Sequence, residues 1–123
     1  MTIGEFSRLT EISCSTLRYY EEKGLIHVSR DGGNRRDYSE ADTEWVKFLQ
    51  KLKNTGMSLK DMKKYSDLRY KGDTTIAERL ELLEKHRLYV DAQLERWREY
   101  SENLNGKIKL YREKLQKRDK SVR

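Results

Sequence analysis

The sequence of 123 residues contains no proline and a single cysteine. Because proline is the strongest breaker of helix interiors, its absence favours long, uninterrupted helices. One cysteine excludes an internal disulfide framework and a metal site built from several cysteines of one chain. No apolar stretch approaches the ~18 residues of a membrane span, and the first residues lack the features of a secretion signal. We therefore expect a cytoplasmic protein that does not contact a membrane.

Hydrophobic residues are also scarce. They make up 35% of the chain, whereas charged residues make up 39%, so a large single core is not available. A small core can fold, but a chain this polar gains from burying further surface against a partner. The charged fraction is typical of long helices with solvated faces. The net charge of +6 favours a polyanionic partner without locating the contact.

Capping patterns predict where the helices begin. In a capping box, Ser or Thr is followed three residues later by an acidic residue, and the pair satisfies backbone donors that the helix leaves unpaired. Ser13 can cap a further helix alone. The boxes begin at Thr2, Ser39, Ser58 and Thr75.

The first two predicted helices span about residues 3–9 and 14–23, and Gly24 is the expected left-handed cap of the second. Two short helices with so tight a connection form a helix-turn-helix pattern. The following segment 25–38 contains two adjacent glycines, which are expected to adopt positive φ in a tight reversal. This segment is therefore predicted to form a hairpin wing. Two more helices are predicted over about residues 40–54 and 59–68.

A seam of hydrophobic residues runs along the C-terminal third of the chain. Alternate steps of four and three residues meet twelve positions, of which ten are apolar and two, Arg87 and Ser101, are polar. A period of 3.5 residues is the signature of a left-handed coiled coil. Since the head is too small to cover such a rod, we expect a second copy of the chain to cover it. The predicted dimerisation residues are Ile76, Leu80, Leu83, Val90, Leu94, Trp97, Leu104, Ile108, Tyr111 and Leu115.

The predicted fold class is therefore mainly α, with a winged helix-turn-helix head followed by a long coiled-coil dimerisation helix. The patterns predict boundaries for each part. The head covers residues 1–70, a linker loop 71–75, the dimerisation helix 76–117 and a basic tail 118–123.

The second helix of a helix-turn-helix enters the major groove of DNA and presents its first residues to base edges. Ser15, Thr16 and Arg18 occupy these positions. Hydroxyls donate or accept hydrogen bonds, and arginine binds guanine or phosphate with two parallel bonds. Of the two tyrosines that follow, we expect Tyr19 to point outward, with its hydroxyl within reach of a phosphate.

The wing and the fourth helix supply further expected DNA contacts. Arg35 and Arg36 lie beside the glycine turn, where arginines commonly grip phosphates or a narrowed minor groove. Lys60 opens the fourth helix, and a helix N-terminus favours phosphate through its free amides and its dipole.

Four blocks of sequence resemble the MerR family of regulators. They are residues 2–6, 15–26 with Leu-Arg-Tyr-Tyr-Glu, 34–42 and 56–61, and together they cover about residues 2–68 in order. The resemblance implies a homodimer whose tails pair antiparallel and whose heads occupy two half-sites of a pseudo-palindromic promoter. It also implies control of RNA polymerase at that promoter through bending and untwisting of the DNA. The implied phosphate clamps are Arg18, Tyr19, Arg35, Tyr38 and Lys60, and Ser15 and Thr16 would face base edges.

The trigger of such a regulator is less defined by the sequence. Metal-sensing members of the family carry cysteines near the ends of the dimer helix, whereas Cys14 lies in the head, so we expect no metal site and no cofactor. We favour a response to a small-molecule effector. The alternatives are a constitutive architectural or repressor protein and a coiled-coil adaptor that merely keeps this fold. An enzyme is not expected, because no catalytic set of residues stands out.

Overall fold

The protein is described here by a computed structural model over residues 1–122, so Arg123, the end of the predicted basic tail, lies outside the described residues. The chain divides into two compact units, of which the first is Met1–His86 and the second begins at Arg87. The mainly α fold, with a winged helix-turn-helix head and a long C-terminal helix, is confirmed. In chain order the elements are α1 Ile3–Thr10, α2 Cys14–Glu22, β1 Ser29–Arg30, β2 Arg36–Asp37, α3 Ala41–Asn54, α4 Leu59–Lys71, a 3-10 turn Asp73–Thr75 and α5 Ile76–Val122.

Three of the predicted helix caps are present. The Thr2 hydroxyl accepts from the Glu5 backbone N–H at 3.2 Å, and the Glu5 carboxylate accepts from the Thr2 backbone N–H at 3.4 Å, which completes the capping box. The hydroxyls of Ser13 and Ser58 each accept a backbone N–H three residues later, at 3.1 Å in both cases. Local hydrogen bonding therefore sets the starts of α1, α2 and α4.

The boxes predicted at Ser39 and Thr75 are wrong. Ser39 donates to the Asp42 carboxylate through its amide and its hydroxyl, but α3 begins two residues later and has no side-chain cap. The Thr75 hydroxyl is buried and donates to the carbonyl of Leu68 at 2.6 Å and that of Gly72 at 2.8 Å. The Leu68 contact is buried and its carbonyl needs a donor, so the hydroxyl ties down the end of α4 instead of capping α5.

The core of the head lies where α1, α2, α3 and α4 meet. The carbonyl of Leu25, in the segment after α2, accepts from the Trp45 indole N–H at 3.3 Å and also from the Ser66 hydroxyl. This one acceptor therefore connects the base of the wing to both α3 and α4. The buried apolar residues are Phe6, Ile12, Leu17, Tyr20, Leu25, Ile26, Tyr38, Trp45, Val46, Leu49, Leu52, Met57, Met62, Tyr65 and Leu68.

The wing is a two-stranded antiparallel hairpin, as predicted, in which Ser29 pairs with Asp37 and Arg30 with Arg36. Its turn differs from the prediction, because the positive φ falls at Asn34 (60°) and not at either of the two glycines. Asparagine tolerates this left-handed conformation through local hydrogen bonding of its short side chain. The Asp31 carboxylate fixes the turn by accepting the backbone N–H groups of residues 33 and 35, both at 2.9 Å.

Helix α4 is longer than predicted. It continues one turn beyond residue 68 and ends at Lys71, followed by Gly72 at φ 99°. The segment Arg69-Tyr70-Lys71 contains no helix breaker, and the glycine supplies the backbone conformation that stops the helix. Most of the predicted linker loop 71–75 is therefore ordered as the end of α4 and the 3-10 turn.

Most of the predicted seam on α5 is exposed in the single chain. Leu83 is an exception, because it is half-buried and packs against the head core of its own chain together with Leu82. Val90 is also half-buried. The exposed fractions of the remaining seam residues lie between 46% and 69% for Ile76, Leu80, Leu94, Trp97, Leu104, Ile108, Tyr111 and Leu115.

Among residues 1–122, no helix has both the length and the hydrophobicity to cross a membrane. The same residues include no group of three or more His, Cys, Asp or Glu side chains placed to hold a metal ion.

Candidate nucleic-acid interface

The first turn of α2 presents the hydroxyl groups that the sequence predicted at the interface. Ser15 is exposed and Thr16 is half-buried. The Ser13 hydroxyl joins them, because it donates to the Thr16 hydroxyl at 2.8 Å and lies 3.2 Å from the Ser15 hydroxyl. Arg18 follows one turn into the helix and is exposed. The beginning of α2 is thus a polar surface with one cation.

The two tyrosines at the centre of α2 face opposite ways. Tyr20 is fully buried, and its hydroxyl donates to Oε1 of Gln50 on α3. Burial raises the pKa of the Tyr20 phenol above its ordinary value. Tyr19 is 41% exposed, and the ammonium of Lys23 lies 5.7 Å from the centre of its ring. The prediction that Tyr19 is the outward-facing tyrosine is confirmed.

One carboxylate joins α2 to both strands of the wing. Oε1 of Glu21 accepts from Nη2 of Arg30 at 2.9 Å, and its Oε2 accepts from Nε of Arg36. The hydrogen bond to Glu21 raises the pKa of Arg36 above its ordinary value. The recognition helix and the wing are therefore connected by charge-assisted hydrogen bonds, which are among the stronger polar contacts in proteins.

Sequence reasoning missed both Glu21 and Arg30. A hairpin centred on Gly33 pairs residue 30 with residue 36, so the position of Arg30 beside Arg36 could have been found from the turn. The contact of Glu21 with the wing could not, because it joins residues 9 and 15 positions apart across a loop.

The structure corrects the expectation for Tyr38. Its side chain is 2% exposed and stacks on Phe6 with ring centroids 4.5 Å apart. Its hydroxyl is buried without a hydrogen-bond partner among the described residues. A phosphate clamp must reach solvent, so this burial does not fit the predicted contact and gives Tyr38 a packing role instead.

Charged side chains of α2 and the wing also act on the Tyr38 phenol. Burial raises the pKa of this phenol most, and Glu21 raises it further, whereas Arg36, Arg18 and Arg30 each lower it. These electrostatic effects fall off with distance. Arg18 on α2 and Arg30 and Arg36 of the wing are thus the cations that favour ionisation of this phenol.

The tip of the wing carries the remaining predicted arginine. Arg35 is exposed, and its backbone is held in the turn by Asp31 through bonds at its N–H and at its carbonyl, both 2.9 Å. An open groove of about 620 Å³ lies between the wing and the start of α1. Its lining is of mixed charge, with Arg30, Arg35 and Arg36 beside acidic side chains.

Helix α4 presents Lys60 in its first turn, where the side chain is exposed. The Ser58 hydroxyl occupies one backbone N–H of this turn, that of Asp61. The helix dipole adds a partial positive charge at the same end. Lys60 is thus an exposed cation in the first turn of α4, next to the acidic Asp61.

Taken together, the polar first turn of α2, the two wing arginines held by Glu21 and the exposed wing define a winged helix-turn-helix head of the nucleic-acid-binding class. Comparison with known proteins gives the family. The profile of the MerR HTH family regulatory protein matches residues 1–68, and a second profile, described as MerR, DNA binding, matches residues 43–106. The chain belongs to the MerR family.

Individual relatives agree with this assignment. An uncharacterised HTH-type transcriptional regulator of Haemophilus influenzae is 42% identical over 101 residues, which cover 81% of this chain and 75% of that protein. The transcriptional regulator AdhR of Bacillus subtilis is 35% identical over 88 residues, which cover 71% of this chain and 63% of AdhR. These relatives are transcriptional regulators, in agreement with the prediction that the chain is not an enzyme.

Solved structures give the same fold. HiNmlR, described as a MerR family regulator lacking the sensor domain, bound to promoter DNA, is 38% identical with a TM-score of 0.81, and the match covers 91% of this chain and 90% of that one. A putative MerR family regulator from Listeria monocytogenes is 30% identical with a TM-score of 0.86, covering 90% of this chain and 85% of its own.

Proposed function

We propose that this protein is a cytoplasmic transcriptional regulator that binds a pseudo-palindromic promoter as a homodimer and controls transcription by distorting the DNA. The observation that carries the proposal is that Glu21 of α2 binds Arg30 and Arg36 of the wing, while the same helix presents the exposed Arg18. A concentration of cations on a recognition helix and its wing is suited to the phosphate backbone of a duplex. The likeness to HiNmlR, which was crystallised bound to promoter DNA, supports the same function.

In the proposed complex, the start of α2 enters the major groove. Ser15 and Thr16 face base edges, while Arg18 and Tyr19 contact the adjacent phosphates. Base contacts specify the sequence and phosphate contacts fix the register. The wing arginines Arg35 and Arg36 and the helix start at Lys60 supply the outer phosphate contacts.

The second copy is proposed to bind through α5. Leu94 and Trp97 on the seam are 57% and 69% exposed in the single chain. Contiguous apolar surface of this kind marks an interaction site on a soluble protein. A symmetric partner covers the same seam with the same residues and brings a second head to the duplex, so that each head takes one half-site.

Distortion of the promoter is the proposed means of control. Contacts to the backbone on both sides of a half-site can repay the energy of bending and untwisting the DNA between them. RNA polymerase, the proposed partner at the same promoter, would then engage elements that the undistorted duplex holds out of register. A small-molecule effector is the favoured trigger.

A constitutive architectural or repressor protein is the second candidate. The likeness to a regulator that lacks the sensor domain favours it, since 90% of that chain is covered by the match. Footprinting on a retained promoter with and without cell metabolites separates the two candidates. A footprint whose distorted positions change with metabolites supports the effector-responsive regulator, and an unchanged footprint supports the constitutive protein.

The proposal as a whole is tested by selecting genomic fragments that the purified protein retains and sequencing them. We expect fragments with two inverted half-sites, protected symmetrically from cleavage and hypersensitive between the half-sites, as bent DNA is. Retention of fragments without a shared inverted repeat, or no retention at low salt, would contradict it.

A further inference from the structure

We infer that Glu21 is a positioning residue for DNA binding: it holds the wing arginines Arg30 and Arg36 against α2 in the orientation that reaches phosphates. The inference rests on the proposed function, because it assigns a role at the same interface. It concerns a residue whose charge has the wrong sign for direct contact with DNA.

The first observation is that the Glu21 carboxylate bridges two arginines from opposite strands of the wing. Each oxygen of the Glu21 carboxylate accepts from a different arginine, Oε1 from Arg30 on β1 and Oε2 from Arg36 on β2. The two arginines are directly opposite each other in the hairpin. Like charges in that arrangement repel and destabilise a strand pair. A carboxylate between them removes this repulsion and ties both strands to the helix.

The second observation is that the contact leaves the arginines able to bind further groups. A guanidinium carries five N–H donors in a rigid fork. The bonds to Glu21 use Nη2 of Arg30 and Nε of Arg36. The Arg30 side chain remains 41% exposed and that of Arg36 30% exposed. Both guanidinium groups therefore keep donors that can face solvent, where a phosphate would lie.

The third observation is that the contacts of Glu21 are the side-chain contacts that tie the strands of the wing to α2. Each strand is only two residues long, and such a hairpin is marginally stable by itself. The base of the wing is anchored by the buried Tyr38 ring, by the bond from the Tyr38 backbone N–H to the Met1 carbonyl at 2.8 Å, and by the salt bridge from the Met1 ammonium to Asp37 of β2 at 2.7 Å. Above this base, the Glu21 carboxylate joins both strands to α2 through its bonds to Arg30 and Arg36.

Simple electrostatics and the positioning role predict opposite changes in DNA affinity when the charge of Glu21 is removed. An acidic side chain on a DNA-binding surface repels phosphate, so neutralising it should tighten binding. Positioning predicts weaker binding, because the freed wing must be ordered again in the complex. The sign of the change therefore separates the two accounts.

Glu22 provides the matched control. It is the next residue of the same helix and is exposed, so Glu22→Gln makes the same change of charge without touching the wing arginines. We expect Glu22→Gln to bind DNA as tightly as the wild type or more tightly.

The experiment measures the dissociation constant of the full chain for a retained duplex over a series of salt concentrations. We expect Glu21→Gln to weaken binding about tenfold, the order of one lost charge-assisted hydrogen bond. We also expect the negative slope of log K against log salt to become shallower by about one, as for one lost phosphate contact. A change that only loosened the fold would lower the melting temperature without changing this slope.

Double variants test whether the loss of DNA affinity in Glu21→Gln acts through Arg36. Arg36→Gln should add little loss of DNA affinity to that of Glu21→Gln, because each variant removes the phosphate contact of a correctly held Arg36. Lys60→Gln should add its full loss of affinity, because Lys60 does not contact Glu21. If Glu21→Gln does not fold, Glu21→Asp replaces it, since the shorter side chain keeps the charge but cannot bridge both arginines. The same loss of affinity is then expected.

Two failures are distinguishable. If the wild type binds no duplex, the proposed function is wrong. If the wild type binds and Glu21→Gln, or Glu21→Asp in its place, binds as tightly as Glu22→Gln, the positioning role is wrong while the proposed function stands.

Discussion

The hydroxyl of Tyr20 on α2 donates a hydrogen bond to Oε1 of Gln50 on α3, inside the head. The tyrosine is fully buried and the glutamine is half-buried. This contact couples the recognition helix to the helix that supports it. The orientation of α2 therefore depends on a partly buried polar pair as well as on apolar packing.

The first prediction follows from that pair. Tyr20→Phe keeps the ring and removes the donor, which leaves the Gln50 oxygen without its buried partner. We expect a loss of about 1 kcal/mol in the free energy of unfolding, measured by urea titration followed by circular dichroism. A variant as stable as the wild type would show that the hydrogen bond contributes nothing net.

Tyr38→Phe is predicted to behave differently. The Tyr38 hydroxyl is buried and has no partner among the described residues, so removing it should leave stability unchanged or raise it by up to about 1 kcal/mol. Affinity for promoter DNA should also be unchanged, because the ring is retained. A marked loss of DNA affinity, at unchanged stability, would restore the phosphate-clamp role that the sequence suggested.

Alkaline titration offers a third prediction. Burial raises the pKa of both Tyr20 and Tyr38 above 10.0, the ordinary value. A folded-state pKa above the unfolded one stabilises the fold below the unfolded pKa, and this stabilisation is lost as pH rises through the folded pKa. We therefore expect stability to decline above about pH 10.

Tyrosinate absorbance measures this directly. Two of the eight tyrosines should ionise later than the others, and the double variant Tyr20→Phe, Tyr38→Phe should lose that late component. Simultaneous ionisation of all tyrosines in a protein that is still folded would contradict the burial of these two rings.

The proposed dimer gives the fourth prediction. Leu94→Asp places a charge in the seam, where a partner would have to bury it without a counter-charge. We expect monomers by sedimentation at concentrations where the wild type is dimeric. Leu88→Asp is the control, because Leu88 is 72% exposed and lies outside the seam. An unchanged dimer in Leu94→Asp, or equal effects of the two variants, would argue against this seam.

Features set by neighbouring residues could be predicted from the sequence. The caps at Thr2, Ser13 and Ser58 depend on bonds across three residues, and each is present. Gly24 adopts positive φ (72°), as its place after α2 indicates. The outward position of Tyr19 follows from helical geometry once the inward residue is known.

Features set by distant contacts could not be predicted in the same way. Thr75 has the residue pattern of a cap, but its hydroxyl donates instead to the buried carbonyl of Leu68. Tyr38 lies beside the wing in sequence, yet its ring fills the core against Phe6. The Glu21 contact depends on the register of a hairpin that the sequence locates only roughly. Each of these outcomes required the packing of the whole head.

The central claim is that the head binds duplex DNA through α2, and Arg18→Ala tests it most directly. The control is Arg98→Ala, which removes the same charge from an exposed site on α5. In a gel-shift titration on a retained promoter fragment, with dimer content checked by sedimentation, Arg18→Ala should weaken binding roughly tenfold to hundredfold, and Arg98→Ala should change it little. Equal affinity of Arg18→Ala and the wild type for that fragment would contradict the account.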